Sequence, residues 1–328
     1  MEGFKLKTKV TKYNGLYLCL HIPEFWNGKT VLYVHGGPGS HSYDFECGIQ
    51  HFSQLKNSMF AFITYDQRGS GRSENSSQDL KELSHSKNID DLLNLILDLP
   101  KIFNLDKIDV VFGHSYGARL VYDTLWMHQS LSILYLLVGT NIHPNDAFNT
   151  SLFLDLQILK NTQPEEYAAA LKLISNNETE PYLLSPKIRK FFKCLGSRQI
   201  ARQDFYWANP KVQTWWNKIN SNSRVHDNDE VYFRIVETFH DEKFNSGNYN
   251  PSYLSQFGKY IIGFHDILMN GTTTFPEIKI KNNIIKCYAS SHYPHFEEPE
   301  IFINTLRSLF HEEQNYISNY KNVSGNNL

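Results

Sequence analysis

The feature that most constrains this chain is a serine flanked by glycines, Gly113-His114-Ser115-Tyr116-Gly117, at the junction of a strand and a helix. Apolar residues at 108–112 predict a buried strand before it, and the spacing of residues 116–128 predicts a helix after it. Glycines two positions before and after a serine permit a strained turn that exposes the hydroxyl above a sheet. The pattern predicts Ser115 as a nucleophile, against the alternative of a Gly-Ser turn without chemistry.

The first half of the chain alternates short β-branched runs with amphipathic segments, which indicates a mainly parallel sheet covered by helices. After about residue 145 the pattern changes to helix-like segments with a cluster of tryptophans, and strand patterns return near residue 259. We predict strands at 17–22, 30–35, 60–66, 108–112, 133–138, 259–263 and 284–289. We predict helices at 89–103, 116–128, 151–159, 165–174, 186–195 and from 298 to about 310.

These patterns divide the chain into two parts. Residues 1–144 and 251–328 are predicted to form an α/β core in which helices flank a mostly parallel central sheet. Residues 145–250 are predicted to form a helical cap inserted into that core. The tail from Asn315, rich in Asn, Ser and Lys, is expected to fray.

The charge balance argues against nucleic acid as a partner, because 32 basic and 34 acidic side chains leave a net charge of −2. A hydrophobic fraction of 41% is ample for a folded core. No apolar run approaches the roughly 20 residues that cross a bilayer, and the charged N-terminus lacks the apolar stretch of a signal peptide. The four cysteines form no CxxC pair. We therefore expect a cytoplasmic protein with reduced thiols and no membrane contact.

A second glycine-rich segment, His35-Gly36-Gly37-Pro38-Gly39, ends the strand predicted at 30–35. Such a loop can turn a backbone amide toward the serine, and the amides of Gly37 and Tyr116 would together stabilise a tetrahedral oxyanion. The alternative is a plain Gly-Pro turn. After the next strand come Asp-Gln-Arg-Gly-Ser-Gly-Arg-Ser at 66–73, whose charges and glycines predict a hydrogen-bonded structural turn.

A serine nucleophile needs a histidine base and a carboxylate that orients the base, and in one recurrent chain order both follow the serine. Asp266 follows the strand predicted at 259–263, and His292 follows the strand predicted at 284–289. Their order and their positions after strands predict that Asp266 and His292 complete a catalytic triad. His295 is the local alternative to His292, although its position suits a packing or helix-capping role better.

Five motifs, HGGPG, DQRGSGRS, GHSYG, GFHD and SSHYPHFEEPE, together resemble those of the proline iminopeptidase branch of the α/β-hydrolase superfamily. They occur in the family's order and cover residues 30–140 and 255–310. The combination of HGGPG with DQRGSGRS is the more specific part, because GxSxG alone also occurs in esterases and lipases. The resemblance implies an α/β-hydrolase fold. It also implies Ser115, Asp266 and His292 as the triad, with Gly37 and Tyr116 forming the oxyanion hole.

In proline iminopeptidases, glutamates of the cap hold the free α-amino group of the substrate, and one of them usually follows a tryptophan. The similar segment here has Asn217 after Trp216, so the resemblance implies Trp216 as a substrate-binding residue without that glutamate. Glu237 lies in a segment that distantly resembles the second glutamate motif and is the candidate amine anchor, the alternative being a solvated helix glutamate. Tyr116 stands where the proline-specific enzymes usually carry Trp.

These features favour a serine hydrolase, and the first hypothesis is an aminopeptidase of proline iminopeptidase type that releases an N-terminal residue from short peptides. The second is a hydrolase of carboxylic esters, thioesters or lactones on the same scaffold. The third is a non-catalytic ligand-binding member of the fold, against which an intact triad argues. We expect no metal or organic cofactor, and a small molecule or short peptide as substrate. The sequence specifies no oligomeric state.

Overall fold

A computed structural model of the chain describes residues 6–73, 83–139, 144–176, 184, 187–192, 202–238, 258–268 and 283–324. For residues 144–148 and 313–324 it describes the backbone alone. Within these ranges the chain forms an eight-stranded sheet with helices packed on both of its faces.

The sheet is antiparallel at one edge and parallel elsewhere. Its strands are β1 (Leu6–Tyr13), β2 (Leu16–Pro23), β3 (Thr30–Val34), β4 (Ala61–Tyr65), β5 (Val110–His114), β6 (Leu134–Val138), β7 (Gly258–Gly263) and β8 (Ile284–Cys287). Their order across the sheet is β1-β2-β4-β3-β5-β6-β7-β8. β2 pairs antiparallel with β1 and β4, and all other neighbours pair in parallel. The carboxyl ends of β3 to β8 therefore lie along one edge of the sheet, where the loops that follow them meet.

The helices follow the strands in alternation through the first half of the chain. They are α1 (Tyr43–His51), α2 (Ser53–Lys56), α3 (His85–Phe103), α4 (Tyr116–Met127), α5 (Pro144–Thr162), α6 (Pro164–Ser175), α7 (Pro210–Asn222), α8 (Asp229–Thr238), α9 (Pro294–Glu297) and α10 (Pro299–Ser324). Within the described part of the chain, no helix is both long and apolar enough to cross a membrane.

The central strands are buried on both faces. In β3, Val31 and Tyr33 contribute to the hydrophobic cluster that includes residues of α1 and α10, whereas Leu32 and Val34 contribute to the one that includes α3 and α4. This division follows from the alternation of side chains along a strand. Because both faces are covered, the central strands carry continuous apolar runs in the sequence. The predicted α/β-hydrolase fold is confirmed.

The segment predicted to be an inserted cap, 145–250, contains helices and no strand among its described residues. Leu159 of α5, Ala170 of α6 and Ile188 belong to a small hydrophobic cluster separate from the two that cover the sheet. Val231 of α8 packs in the cluster of α3 and α4 instead. The cap therefore combines a small core of its own with helices that rest on the sheet domain, and its boundaries stay a prediction.

The structure contains elements that the sequence predictions lack, among them the edge strand β1 and the helices α1, α7 and α8. The lysine-rich β1 is not predicted, because an exposed edge strand lacks the apolar alternation that identifies a strand. The tail is expected to fray from Asn315, and the structure gives a helical backbone for α10 as far as Ser324, with no Gly or Pro before Gly325. The helix predicted at 186–195 lies partly outside the described residues.

A buried carboxylate joins the turn after β4 to the start of α1. Asp66 is fully buried, and its Oδ1 accepts hydrogen bonds from the amide and hydroxyl of Ser42 at 2.8 and 2.7 Å. Its Oδ2 accepts from the Arg72 amide and Nε at 2.8 and 2.7 Å, and Arg72 also binds Glu46. Burial raises the pKa of Asp66, but the Arg72 hydrogen bonds and charge outweigh burial and lower that pKa to about 2.

We expect Asp66→Asn to lower the free energy of unfolding by about 3 kcal/mol at pH 7, because it removes one of the two carboxylates that pair with the partly buried Arg72 guanidinium. The Asp66 pKa is depressed, so its contribution is present above the unfolded pKa of 3.8 and is lost as the pH falls toward 2. The difference between wild type and variant in urea unfolding should therefore be constant from pH 7 to 5 and shrink below pH 4. Asp90→Asn, at an exposed position of α3, is the control. Equal effects of the two substitutions would contradict the prediction.

Candidate active site

Ser115 occupies a strained turn between the end of β5 and the start of α4. Its φ of 54° and ψ of −119° lie in a region that L-residues rarely adopt, at a cost of about 1–3 kcal/mol. The Ser115 amide donates to the Val138 carbonyl of the neighbouring strand β6 at 2.9 Å. The hydrogen bond to β6 therefore stabilises the strained backbone of Ser115. The Ser115 hydroxyl lies at the carboxyl edge of the sheet.

The glycine two residues after the serine allows α4 to lie directly against the sheet. A Cβ added to Gly117 would lie 2.1 Å from the Val34 carbonyl oxygen and 2.4 Å from that of His35. Contacts this short to backbone atoms cannot be relieved by a side-chain movement. The glycine at 117 is thus required by the close approach of helix and strand.

The structure brings the three predicted triad residues together. His292 Nε2 lies 3.0 Å from Ser115 Oγ, and His292 Nδ1 lies 2.9 Å from Asp266 Oδ2. The Asp266 side chain is fully buried. An ionised carboxylate can only accept, so the His292 Nδ1–H donates to it and Nε2 is left to accept the serine proton. This arrangement can deprotonate the Ser115 hydroxyl.

The loop that carries His292 is braced by a buried glutamate. Glu297 Oε2 accepts from the Ser291 amide at 2.7 Å, and its Oε1 accepts from the amides of Ala208 and Asn209 at 2.6 and 2.7 Å. Burial raises the pKa of Glu297, whereas these amide hydrogen bonds favour its ionised form. No sequence motif predicts a role for Glu297, and it ties the histidine loop to the segment that leads into α7.

Two further histidines lie under His292. His114 Nε2–H donates to the His292 carbonyl at 2.8 Å, and burial lowers the pKa of His114 well below its usual range. His295 is fully buried against Phe112 and Phe296, its pKa is lowered mainly by burial, and neither of its ring nitrogens has a hydrogen-bond partner among the described residues. Both rings are neutral at pH 7, so neither opposes a positive charge on His292. His295 takes the packing position expected from its place in the sequence.

The glycine loop after β3 lies beside the serine, as the sequence predicts. A Cβ added to Gly36 would be 3.1 Å from the Ser115 Cβ, and Gly37 has a φ of 119° that favours glycine. Tyr116 begins α4, and first-turn amides have no partner within their own helix. The amides of Gly37 and Tyr116 therefore lie in the two segments that border the serine, where an oxyanion hole would form.

A cavity of about 160 Å³ opens above the serine between the sheet domain and the predicted cap. Ser115 and His292 line it from below, and Trp216 and Tyr232 line it from above. Its volume is close to that of a cavity that holds one benzene-sized molecule. The site thus suits a small acyl or aminoacyl group.

The structure places the two predicted substrate-binding residues differently. Trp216 lines the cavity, whereas Glu237 lies on the exposed face of α8, 3.4 Å from Arg234, and is not among the described residues that line it. This position gives no support to the expectation that Glu237 anchors a substrate amine, because its exposed side chain is not among the described residues that line the cavity. Asn217, next to Trp216, does not line the cavity either.

The sequence motifs do not reveal Asp44, a buried acidic group in the cavity wall. It lies in the first turn of α1 and is 8% exposed, and its carboxylate accepts from the Phe45 amide at 2.7 Å and the Trp216 indole at 3.4 Å. Burial raises its pKa to about 6, while His41 lowers that pKa and Asp227 raises it. The signal in the sequence was its position shortly after the glycine loop, at the carboxyl edge of a parallel sheet, where ligands bind.

One buried cluster has the residue types of a metal site. The ligand atoms of Cys19, His21 and Glu46 lie within 4.8 Å of one another. Arg72 donates to both carboxylate oxygens of Glu46, and burial raises the pKa of Cys19 to about 12, which keeps the thiol protonated. A neighbouring guanidinium and a protonated thiol do not suit a cation.

Comparison with known proteins agrees with the fold. A family model described as the alpha/beta hydrolase fold matches residues 29–155. The chain is 22% identical over 300 residues to the probable aminopeptidase YbaC of Bacillus subtilis, covering 84% of this chain and 87% of that protein. The chain is thus similar to a protein named as an aminopeptidase along most of its length.

Two solved structures share the fold at low sequence identity. The proline iminopeptidase-related protein of Thermus thermophilus superposes with a TM-score of 0.63 and 16% identity, covering 94% of this chain and 98% of that one. The esterase EaEST of Exiguobacterium antarcticum superposes with a TM-score of 0.53 and 16% identity, covering 89% and 94%. Similar scaffolds thus occur in proteins named for peptidase-related and for esterase chemistry.

Substitutions of His292 and of His295 should have very different effects on the rate of labelling by a fluorophosphonate probe. We expect His292→Ala to slow phosphonylation of Ser115 by at least about 1000-fold, because the hydroxyl loses its base. His295→Leu should keep the labelling rate within about threefold, because an apolar side chain of similar size replaces a ring with unpartnered nitrogens. Mass spectrometry of the labelled protein gives both rates. A slow His295→Leu variant with a rapidly labelled His292→Ala variant would reverse the assignment.

Proposed function

We propose that this protein, which has the α/β-hydrolase fold and is similar to the proline iminopeptidases, is a serine hydrolase of the aminopeptidase type. The observation that carries the proposal is the continuous contact from Asp266 through His292 to the strained Ser115, at the floor of a cavity. A serine whose backbone is held in a costly conformation beside a base suits catalysis better than packing.

The reaction is acyl transfer to water. Ser115 Oγ attacks the substrate carbonyl while His292 Nε2 takes its proton, and the amides of Gly37 and Tyr116 receive the oxyanion. His292 then protonates the leaving amine or alcohol, which leaves an acyl ester on Ser115. A water molecule gives its proton to His292 and attacks this ester, and the returned proton restores the Ser115 hydroxyl. Asp266 keeps the imidazole oriented and stabilises its charged form throughout.

The charge of the cavity supports a substrate with a free amino group. Asp44, Asp227 and Asp229 contribute to the cavity lining, against one described arginine, Arg189. Asp44 is the most deeply buried of these acids, and an ammonium group beside it would offset the cost of its burial. The similarity to the probable aminopeptidase of B. subtilis supports the same substrate class. Proline is one N-terminal residue whose compact ring suits the cavity volume.

Ester, thioester or lactone hydrolysis is the second candidate, because the triad acts equally on an ester carbonyl. Two observations favour it: Asn217 stands where a proline iminopeptidase would carry a glutamate, and Glu237 does not line the cavity. The similarity to an esterase structure, like that to the peptidase-related structure, is a similarity of fold at 16% sequence identity. The two candidates differ in whether the amine of the substrate matters.

We expect Ser115→Ala to abolish fluorophosphonate labelling and to lower turnover by roughly 10⁴- to 10⁶-fold, with an unchanged melting temperature. The substrate panel should contain aminoacyl amides, prolyl amide among them, and short-chain esters. Ser53→Ala, an exposed serine on α2, should behave as wild type. Labelling of another serine in the Ser115→Ala protein would contradict the proposed nucleophile.

We expect wild type to prefer a free aminoacyl amide over its N-acetyl derivative, because acetylation leaves the Asp44 carboxylate without a cation. Asp44→Asn should reduce this ratio of kcat/KM by about 10- to 100-fold, the effect of one charged hydrogen bond. Glu237→Gln, on the exposed face of α8, is the matched control and should leave the ratio unchanged. Equal rates on free and acetylated substrates in wild type would favour the esterase instead.

The same ratio should depend on pH. The pKa of Asp44 is raised to about 6, chiefly by burial, so its carboxyl becomes neutral below that pH and can no longer pair with an ammonium group. The preference for the free amine should therefore fall as the pH decreases from 7 to 5. Titration of the triad affects both substrates alike and cancels in the ratio. A pH-independent ratio would argue against Asp44 as the anchor.

A further inference from the structure

The segment before α8 touches the glycine loop through its backbone. The Asn228 amide donates to the Gly39 carbonyl at 2.7 Å, and the neighbouring Ser40 hydroxyl donates to Asp227 Oδ1 at 2.8 Å. Gly39 has a φ of 82°, and a Cβ added there would lie 2.4 Å from the Asn228 carbonyl oxygen. The predicted cap and the loop that carries Gly37 are thus in direct contact, with no room for a side chain between them.

The Asn228 side chain reaches a second loop of the sheet domain. Its Nδ2–H donates to the Gly69 carbonyl at 3.0 Å, in the turn after β4. That turn in turn holds the glycine loop, because the Gln67 amide donates to His35 Nε2 at 2.9 Å and its side-chain amide donates to the His35 carbonyl at 2.8 Å. Asn228 therefore joins the glycine loop to the turn after β4, which in turn holds the glycine loop.

The other end of the same side chain starts α8. Asn228 Oδ1 accepts from the amides of Glu230 and Val231 at 3.1 and 3.3 Å, the usual helix-capping geometry. Val231 is almost fully buried in the cluster of α3 and α4, so the helix that Asn228 begins is anchored to the sheet domain. Asn228 thus makes hydrogen bonds to three segments: its backbone amide binds Gly39, its Oδ1 caps α8 and its Nδ2 binds Gly69.

We infer that Asn228 is a positioning residue for the oxyanion hole, and this inference rests on the proposed serine hydrolase function. Its three sets of hydrogen bonds, the Asn228 bridge, hold the glycine loop in the conformation in which the Gly37 amide faces the reacting carbonyl. Preorganised donors lose much of their effect when their position relaxes by a fraction of an ångström. The Asn228 bridge makes the oxyanion hole depend on a residue of the predicted cap.

Asn228→Asp tests the inference, because aspartate keeps the capping oxygen and removes the donor to Gly69, and the uncharged Asn228→Ser variant controls for the charge that aspartate adds. We expect kcat for p-nitrophenyl acetate and for prolyl p-nitroanilide to fall together by roughly fivefold to tenfold, the effect of about one hydrogen bond, with KM within about twofold. The rate of Ser115 phosphonylation should fall by the same factor, because the phosphoryl oxygen uses the same amides. Asn228→Ser, which also caps but carries no charge, should behave alike.

The matched control is Asn27→Asp. Asn27 Oδ1 accepts from the Lys29 amide in the turn before β3, at the opposite end of that strand from the glycine loop, so this variant should have wild-type rates. Melting temperatures within about 2 °C of wild type separate positioning from loss of structure.

Three results would overturn the inference. The first is wild-type rates in both Asn228 variants. The second is a higher KM for the prolyl substrate alone, which would mean that Asn228, which also lines the cavity, acts by touching the substrate. The third is a loss of rate that only follows a loss of thermal stability. A wild-type protein that is not labelled at Ser115 would instead reject the proposed function.

Discussion

Ser115, at the end of β5, has a strained backbone with a φ of 54°. The sheet on one side and α4 on the other constrain the backbone to this conformation. The Ser115 amide is bound by the Val138 carbonyl, and Gly117 allows the helix to approach the backbone of β3 within contact distance. The strain is offset by the packing of two of the most buried elements of the molecule. The position of the hydroxyl relative to the neighbouring loops follows from this one turn.

Three buried or partly buried polar side chains connect the loops around the serine to neighbouring segments. Asp66 holds the turn after β4 to α1, Glu297 holds the histidine loop to the segment before α7, and Asn228 holds the glycine loop to α8. A buried carboxylate is costly unless its oxygens have donors, so Asp66 and Glu297 favour the arrangement in which their partner segments are in place. These contacts connect the loops of the site to the elements around them.

A Ser-His-Asp triad can act on an amide or an ester carbonyl, so we expect the choice between peptide and ester chemistry to depend on the cavity above Ser115. Its wall contains the buried Asp44, held by the Trp216 indole, together with two acids of the segment before and at the start of α8. In the proposed function, a cavity of about 160 Å³ with this charge would select by size and by the presence of a cation. Substrate selection would then depend on groups that flank the reacting atoms.

The sequence by itself determined the central strands, the strained serine turn and the order of nucleophile, acid and histidine, because these follow from local periodicity and from the common edge at which parallel strands end. The same reasoning missed β1, whose exposed lysines carry no apolar alternation. It also could not separate Glu237 from Asp44 as a group near the serine, or find Asn228. The packing of distant elements decides which face of α8 is exposed to solvent and which loop contacts the segment before α8. Residue spacing within one segment does not specify that packing. Only the tertiary structure decided them.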